Sequence, residues 1–173
     1  MSRRPQTDLA VLGALSVEPM TGYALRAAIV STLGHFWSES FGQIYPALAR
    51  LEADGLVAKD DGRFTITAAG RTRLRDLLRT PVERTPPRNG LLLRLFFGST
   101  LGEEACLDLL RDAADEAQAT LATLASIRTE VEAEPDHPDK RWFLVTIAAG
   151  EATARAQARW ARESLESLSP GMA

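Results

Sequence analysis

The 173-residue sequence predicts a mainly α-helical protein: an N-terminal winged helix-turn-helix with a short β-hairpin wing, then a C-terminal α-helical dimerisation domain. Three observations lead to this prediction. Three short helical patterns precede an Asp-Gly hairpin, prolines and glycines cluster near the middle, and heptad-like patterns fill the second half. We therefore assign residues 1–80 to the winged helix, 81–90 to a linker and 91–173 to the helical domain.

The first two helices follow from apolar spacing and from residues that start or stop helices. Leucines recur at helical spacing within residues 7–17, and Pro19 ends that segment. Thr21 has the side chain of a helix cap, and the apolar positions after it continue to the stop signal Gly34. The pattern predicts a second helix of about three turns.

A third helix is predicted between Ser40 and Gly55. Ser40 and Gln43 have the spacing of a capping box, in which each side chain bonds to the other residue's backbone N–H. Pro46 lies inside this helix, where it lacks a backbone donor and crowds the carbonyl of Gly42. We therefore expect a kinked or irregular start to the helix.

A hairpin and a fourth helix complete the first half. Residues 56–59 and 63–66 favour β-strands and flank residues 60–62 (Asp-Asp-Gly), a sequence typical of a tight hairpin turn. Thr67 then caps a helix that extends through Leu78. Three helices followed by a hairpin is the order of elements in a winged helix.

The second half is predicted to be helical. Residues 91–97 are almost wholly apolar, and Thr100 and Glu103 have the spacing of a second capping box that opens a long helix. Apolar positions run along that helix as in a coiled coil, broken only by Arg128, and a last helix extends from about 139 to 168. Two helices bury too little surface alone, so the seam is predicted to continue across the two-fold axis of a homodimer. The predicted interface residues are Leu107, Leu110, Leu121, Leu124, Ala149 and Ala156.

Composition excludes several classes of protein. Apolar residues make up 45% and charged residues 25% of the chain, as in ordinary globular proteins. No apolar run has the length of a membrane span or signal peptide, so we expect a cytoplasmic protein without membrane contact. Cys106 is the single cysteine and no Cys/His cluster has metal-site spacing, so we expect a buried thiol, no metal and no cofactor. The net charge of −3 divides into +2 over residues 1–80 and −5 over residues 81–173, so the basic bias lies in the first half.

Short motifs in the first half resemble those of the PadR family of transcriptional regulators. They occur between residues 8 and 80 in the family's order and spacing. The motifs are Thr21-Gly22-Tyr23-Ala24-Leu25, Phe36-Trp37, Gly42-Gln43-Ile44-Tyr45-Pro46-Ala47-Leu48, Arg50-Leu51-Glu52, Gly55-Leu56-Val57 and Ile66-Thr67-x-x-Gly70, with Phe96-Phe97-Gly98, Gly150 and Trp160 resembling the longer type of the family. The resemblance implies a repressor whose third helix enters the major groove of double-stranded DNA and whose C-terminal helices dimerise.

The resemblance also implies that a small aromatic or drug-like effector lowers DNA affinity by binding between the winged helix and the C-terminal helices. Aromatic side chains can stack a flat apolar ligand, although aromatics at helical spacing are more often core residues. The candidate effector residues are His35, Phe36, Trp37, Phe96, Trp142 and Trp160.

The start of the third helix carries the candidates for base readout. A helix in the major groove presents its first turns to base edges, where Ser40, Gln43 and Tyr45 stand. Gln43 can pair with adenine, or it can simply close the capping box. Tyr23, Tyr45 and Arg50 carry donors for phosphates. The full predicted DNA-binding set is Thr21, Gly22, Tyr23, Ser40, Gln43, Tyr45, Pro46, Arg50 and Arg63.

The wing departs from the family pattern. Its tip is acidic at Asp60 and Asp61, where the family usually has basic residues, so we expect Arg63 to contact the DNA backbone at most. The acidic wing and the negative net charge leave open the alternative of a winged helix that binds another protein. A DNA-binding regulator without an effector has the same sequence features and is a second alternative. No nucleophile or glycine-loop motif is present, so an enzyme is not expected.

Overall fold

The computed structural model describes residues 4–34, 36–37, 41–82, 88–135 and 137–168. Within it the chain divides into two compact units, residues 1–84 and 85–173. The described part is mainly α-helical, as the sequence predicts, and has one small three-stranded antiparallel sheet.

The first unit begins with a helix, a very short strand and a second helix. α1 (Arg4–Val17) is the predicted first helix, and it starts about one turn earlier than expected. β1 (Met20–Thr21) was not predicted, because two residues are too few to show an alternating pattern. The predicted cap of α2 (Gly22–Ala28) is confirmed: the Thr21 hydroxyl accepts a hydrogen bond from the Ala24 N–H at 3.1 Å.

The end of the second helix is wound more widely than an α-helix. Ile29–Leu33 forms a π-helical segment directly after α2, and Gly34 follows it. A Cβ at Gly34 would stand 2.1 Å from the Val30 carbonyl oxygen, so the backbone approaches too closely for any side chain. Short π segments are hidden from sequence analysis because their apolar spacing resembles that of an α-helix.

α3 (Phe41–Ala53) is the predicted third helix, and Pro46 lies within it. The structure assigns α-helix on both sides of Pro46, so the predicted irregularity of this helix is not found in its described residues. Gly42 is exposed, so water can bond to the carbonyl that Pro46 leaves without its donor. The predicted capping box falls on Ser40, which lies outside the described residues.

The predicted hairpin is formed by β2 (Val57–Asp60) and β3 (Arg63–Ile66). β1 pairs with the other edge of β3, which gives the strand order β1-β3-β2. Both residues of the turn have positive φ, 43° at Asp61 and 75° at Gly62, as a type I′ turn requires. The hairpin is therefore as tight as its Asp-Gly sequence predicts.

α4 (Ala68–Arg79) follows the hairpin, and Thr67 caps it as predicted by accepting a hydrogen bond from the Gly70 N–H at 3.0 Å. α1 packs against both α3 and α4, and it also contacts β3. The buried apolar side chains of this unit come from all of these elements: Val11, Leu12, Leu15, Leu25, Ile29, Ile44, Leu48, Leu51, Val57, Phe64, Ile66, Leu74 and Leu77.

The second unit is built from helices only in its described residues: α5 (Gly90–Phe96), α6 (Gly98–Leu101), α7 (Glu103–Ala133) and α8 (Lys140–Leu168). The predicted capping box at Thr100 is wrong. Thr100 belongs to α6, and α7 begins after Gly102, whose φ of 98° turns the chain between the two helices. Cys106 is buried as expected, with Sγ 3.7 Å from the Gly98 carbonyl oxygen.

α7 and α8 pack as the predicted antiparallel pair. The Arg162 guanidinium donates to the Gln118 side chain at 3.1 Å, and at the opposite end Lys140 Nζ donates to the Glu132 carbonyl at 2.9 Å. Leu110 and Leu124 are only 1% and 0% exposed within the single chain. Because the α7 seam faces α8 of the same chain, the assignment of Leu110 and Leu124 to a dimer interface is corrected: both belong to the intrachain core.

Candidate nucleic-acid interface

One face of α2 and α3 displays the predicted recognition residues to solvent. Tyr23 is 74% exposed and Tyr45 is 51% exposed, and Gln43 and Pro46 are exposed beside them. Ile44, which lies between Gln43 and Tyr45, is 1% exposed and packs in the core. α3 is thus amphipathic, with its polar and aromatic side free to meet a partner.

Tyr45 is held against the start of α2. Gly22 is buried, and a Cβ placed on it would stand 2.8 Å from Cε1 of the Tyr45 ring. The absence of a side chain at Gly22 therefore lets the Tyr45 ring lie directly on the backbone. The motif residues Gly22 and Tyr45, far apart in the chain, form one unit of the exposed surface.

Two predicted phosphate ligands have partners inside the first unit. The Arg50 guanidinium donates to the Asp8 carboxylate, which joins α3 to α1. The Arg63 guanidinium donates to the Pro19 carbonyl at 2.6 Å, beside the pairing of β1 with β3. Both arginines therefore have a structural task in the unit, whether or not they also meet phosphate.

The tip of the wing is acidic and open to solvent. Asp60 and Asp61 are exposed at the turn. The neighbouring Lys59 places its Nζ 5.3 Å from the centre of the Phe64 ring, a cation–π contact. Lys59, the cation nearest the turn on β2, therefore contacts Phe64 of the same hairpin.

The predicted effector residues fall in both units. In the first unit Phe36 is exposed, and Trp37 is half-buried with an indole N–H that has no partner among the described residues. His35 lies outside the described residues. In the second unit Phe96 is 82% exposed and meets Phe97 edge to face at 5.1 Å. Adjacent exposed apolar side chains, such as Phe96 and Phe97, can form a patch that marks an interaction site.

The other two effector candidates lie on α8. Trp142 is exposed with the Arg141 guanidinium 4.7 Å from its ring, whereas Trp160 packs beside Ala113, Ala114 and Ala161. Trp160 also lines an open groove of about 630 Å³ within the second unit. The other lining residues, which sequence analysis did not single out as a site, are Asn89, Leu92, Ala152, Thr153, Ala156 and Gln157.

The side of α8 that faces away from α7 is uncharged along much of its length. At 100° per residue the buried positions Ile147, Ala154 and Ala158 lie on one side of the helix. The opposite side is formed by Trp142, Val145, Ala149, Ala152 and Ala156, all of which are exposed. Small and apolar residues on an outward face are typical of helices that pack against another helix.

A charged cluster fixes α8 on α7. Glu151 is 8% exposed, and its carboxylate accepts hydrogen bonds from Arg128 Nε at 2.8 Å and from Arg155 Nη2 at 3.1 Å. These bonds, Arg128 first, hold the pKa of Glu151 below its usual value, and the Glu151 partner raises the pKa of Arg128. Arg128, which breaks the apolar seam in the sequence, is explained by this buried carboxylate.

Family comparisons match both units separately. Residues 87–169 match the family "Virulence activator alpha C-term", and residues 11–76 match the "Transcriptional regulator PadR-like family". The first unit is therefore similar to PadR-like transcriptional regulators, and the second unit is similar to the C-terminal part of virulence activators. The two matches together span the winged helix and the paired long helices. The matched families are those of regulators and not of enzymes.

Individual PadR relatives resemble the chain over most of its length. The Negative transcriptional regulator PadR of Bacillus subtilis (strain 168) is 29% identical over 158 residues, which cover 82% of this chain and 86% of that protein. The PadR-like transcriptional regulator BC1756 from Bacillus cereus superposes with a TM-score of 0.83 at 26% identity, covering 94% of this chain and 97% of that one. Bacillus subtilis PadR in complex with operator DNA gives a TM-score of 0.76 at 25% identity, covering 93% and 98%. The same protein has also been solved with p-coumaric acid, with a TM-score of 0.76 at 26% identity and coverage of 94% and 98%.

No helix in the described part of the chain combines the length and the apolar character that crossing a membrane would require.

Proposed function

We propose that this protein is a sequence-specific DNA-binding repressor that acts as a homodimer and is released from its operator by a small aromatic effector. The exposed face of α2 and α3, carrying Tyr23, Gln43 and Tyr45 on a fully packed core, is the observation that carries the proposal. The Bacillus subtilis relative solved with operator DNA supports the same role for this chain.

In the proposed complex α3 lies in the major groove of duplex DNA. Gln43 stands in the first turn of α3 and is exposed, so its amide can pair with the N6 and N7 atoms of adenine. Ser40 precedes α3 and completes the proposed readout set. Pro46 itself lacks a backbone N–H, and its exposed ring presents an apolar surface to the groove.

Two tyrosine hydroxyls are proposed to set the register on the duplex. The rings of Tyr23 and Tyr45 both stand out from the surface, and Tyr45 is positioned by its contact with Gly22. Phosphate contacts from such groups orient a protein on DNA without reading its sequence. Thr21 contributes indirectly, since its hydroxyl fixes the first turn of α2.

The proposed dimer interface lies on the outward face of α8. Ala149 and Ala156, predicted from the sequence as interface residues, are exposed there beside Val145. Leu107 and Leu121 of α7 are half-buried and are proposed to lie at the edge of the contact. A two-fold dimer carries two α3 helices, and dimeric helix-turn-helix proteins bind half-sites about 34–36 Å apart.

An aromatic effector is proposed because the chain exposes several aromatic groups and because the Bacillus subtilis relative binds p-coumaric acid. Trp37 offers an indole N–H without a partner in the described residues, which is a ready donor for a ligand oxygen. The groove beside Trp160 offers apolar walls for a flat ring. The effector would have to favour the dimer geometry that no longer fits both half-sites, and a coupling of about 1–3 kcal/mol suffices.

Selection from a pool of random duplexes tests the DNA-binding proposal directly. The protein should enrich a two-fold symmetric sequence whose half-sites are about 10 base pairs apart, centre to centre. Enrichment of no sequence would favour the alternative of a winged helix that binds another protein. Stable operator complexes that ignore every phenolic acid tried would instead favour a regulator without an effector.

The effector proposal has its own readout in tryptophan fluorescence. Titration with p-coumaric acid should quench the emission and release labelled operator over the same concentration range. Replacing Trp37 or Trp160 singly by Phe shows which ring reports binding. Quenching without release of operator would contradict the proposed coupling.

A further inference from the structure

The outward face of α4 carries a row of arginines. Arg71, Arg75 and Arg79 follow one another at intervals of four residues, in a row that runs from the flank of the helix at Arg71 to the side opposite the buried Leu74 and Leu77 at Arg79. All three are exposed. With a rise of 1.5 Å per residue, their Cα atoms are spaced about 6 Å apart over a length of about 12 Å. We call these three residues the α4 arginine stripe.

In the described part of the first unit, the stripe arginines have no acidic partner, and neither does the neighbouring Arg73. Arg50 is bonded to Asp8, Arg63 to the Pro19 carbonyl, and Lys59 lies over Phe64. Among the described residues no carboxylate oxygen lies within 4 Å of a stripe guanidinium. The Arg75 guanidinium donates a hydrogen bond to the neutral hydroxyl of Thr72 at 3.1 Å.

The distribution of charge along the chain points the same way. α4 contains four of the ten basic residues within residues 1–80 but only Asp76 of their eight acidic residues. Without α4, the rest of that segment carries a slight negative charge. Since binding to DNA depends on neutralising phosphates, the exposed face of α2 and α3 alone supplies little of this attraction.

We propose that the α4 arginine stripe binds phosphates of the duplex DNA that flanks the half-site held by α3. The inference rests on the proposed function. α1 packs against both α3 and α4, so the stripe is a surface separate from that of α3, and we assign it to the duplex outside that half-site. A length of about 12 Å spans roughly three to four phosphates of one strand, which matches three guanidinium groups. Duplex DNA is the proposed partner because its phosphates are anions at regular spacing. The acidic wing tip at Asp60 and Asp61 does not attract these phosphates.

The experiment compares two duplexes that share the selected operator. One ends at the operator, and the other carries about 10 additional base pairs at each end, one turn of the helix. The wild type should bind the longer duplex more tightly, with a salt slope steeper by about 2.7 for each protomer's stripe. Raising salt from about 50 to 200 mM should then weaken that flanking contribution about 40-fold per stripe.

The triple variant Arg71→Gln/Arg75→Gln/Arg79→Gln should lose the gain from the flanks and keep wild-type affinity for the short operator. Arg73→Gln is the matched control for Arg75→Gln, because Arg73 is exposed on the same helix but turned about 160° away from it. Arg75→Gln should reduce the salt slope on the longer duplex, and Arg73→Gln should not. The melting temperatures of all variants establish that the fold is retained.

Persistence of the flanking gain in the triple variant would overturn the inference. Capture of a second labelled duplex by wild type bound to the short operator, lost in the triple variant, would also overturn it by placing the stripe on separate DNA. Equal binding of operator and scrambled duplex by the wild type would contradict the proposed function itself, and is thereby distinguished from failure of the stripe.

Discussion

The Tyr45 ring occupies the space that a side chain at position 22 would need. A Cβ on Gly22 would come within 2.8 Å of Tyr45 Cε1, and the ring itself is half exposed. The contact joins the start of α2 to the first turns of α3 at the centre of the proposed interface. It shows why a glycine precedes Tyr23 and why the ring at position 45 has a fixed direction.

Gly22→Ala should therefore displace the Tyr45 ring while leaving the fold intact. Tyr45 can move because it lies at the surface, so we expect little change in the melting temperature but operator binding weakened by about fivefold, or ~1 kcal/mol. Gly13→Ala is the control, since nothing lies within 4 Å of a Cβ there. It should stabilise α1 by about 0.5–1 kcal/mol without changing DNA affinity. Unchanged operator binding in Gly22→Ala would mean that the position of Tyr45 is irrelevant to recognition.

Gln43→Ala should relax the choice of sequence. Losing a paired contact to adenine costs about 1–3 kcal/mol on the operator and little on scrambled DNA, so the ratio of the two affinities should fall. Fluorescence anisotropy on both duplexes measures this ratio. Gln43→Glu keeps the shape and the helix start but replaces the amide donor by a carboxylate oxygen, and should lose the same preference. Retention of full discrimination by both variants would assign Gln43 to the helix start alone.

Arg50→Ala separates a structural from a phosphate role for this guanidinium. The bond to Asp8 predicts that the variant unfolds about 1–2 kcal/mol more easily, because Asp8 loses its charged partner. Asp8→Asn should cause a comparable loss by weakening the same pair. Urea unfolding gives both values. If Arg50→Ala also lowers the salt slope of DNA binding while Asp8→Asn leaves it unchanged, then Arg50 meets phosphate as well.

Ala149→Asp should convert the dimer to monomers while the helices remain folded. Ala149 lies on the outward face of α8, where a carboxylate in a closed interface would lose its water. Ala119→Asp introduces the same change at an exposed position of α7 and should remain dimeric. Light scattering and circular dichroism report mass and helicity. A dimeric Ala149→Asp protein would move the interface to another surface.

Glu151 should make a measurable contribution to the dependence of stability on acid. Its pKa is lowered by Arg128 and Arg155, so the ionised carboxylate stabilises the folded state. This contribution to stability is full above the ordinary pKa of 4.5 and is lost as the pH falls below 4.5. Glu151→Gln should melt at a lower temperature than the wild type at pH 7, and the difference should narrow below about pH 4.5. Glu163→Gln, at an exposed position of the same helix, should leave the melting curve unchanged. A difference that stays constant from pH 7 to pH 3 would contradict the role of this cluster.

Sequence patterns predicted the elements that local chemistry determines. The caps at Thr21 and Thr67 and the Asp61-Gly62 turn could be found because each depends on a few neighbouring residues. β1 could not be found, since its two residues become a strand only by pairing with β3. The π segment at Ile29–Leu33 could not be predicted for a similar reason. The winding of a single turn depends on tertiary packing, which the spacing of apolar residues does not show.

The sequence indicates which residues belong to the candidate site more completely than it indicates their contacts. Motif residues such as Tyr23 and Gln43 stand exposed, but the Asp8 partner of Arg50 lies 42 residues away and no local pattern indicates it. Leu110 and Leu124 show the same limit, because a heptad seam does not tell whether its partner helix belongs to the same chain. The spacing of Arg71, Arg75 and Arg79 is visible in the sequence. That no carboxylate of the described residues pairs with them could be seen only in the structure.

Sequence-specific DNA binding can be measured by titrating labelled duplexes with the purified protein at two salt concentrations. One duplex carries the promoter upstream of the protein's own gene, and the other has the same composition in scrambled order. We expect tight, salt-sensitive binding with a clear preference for the promoter. Equal and weak binding to both duplexes would contradict a sequence-specific DNA-binding regulator.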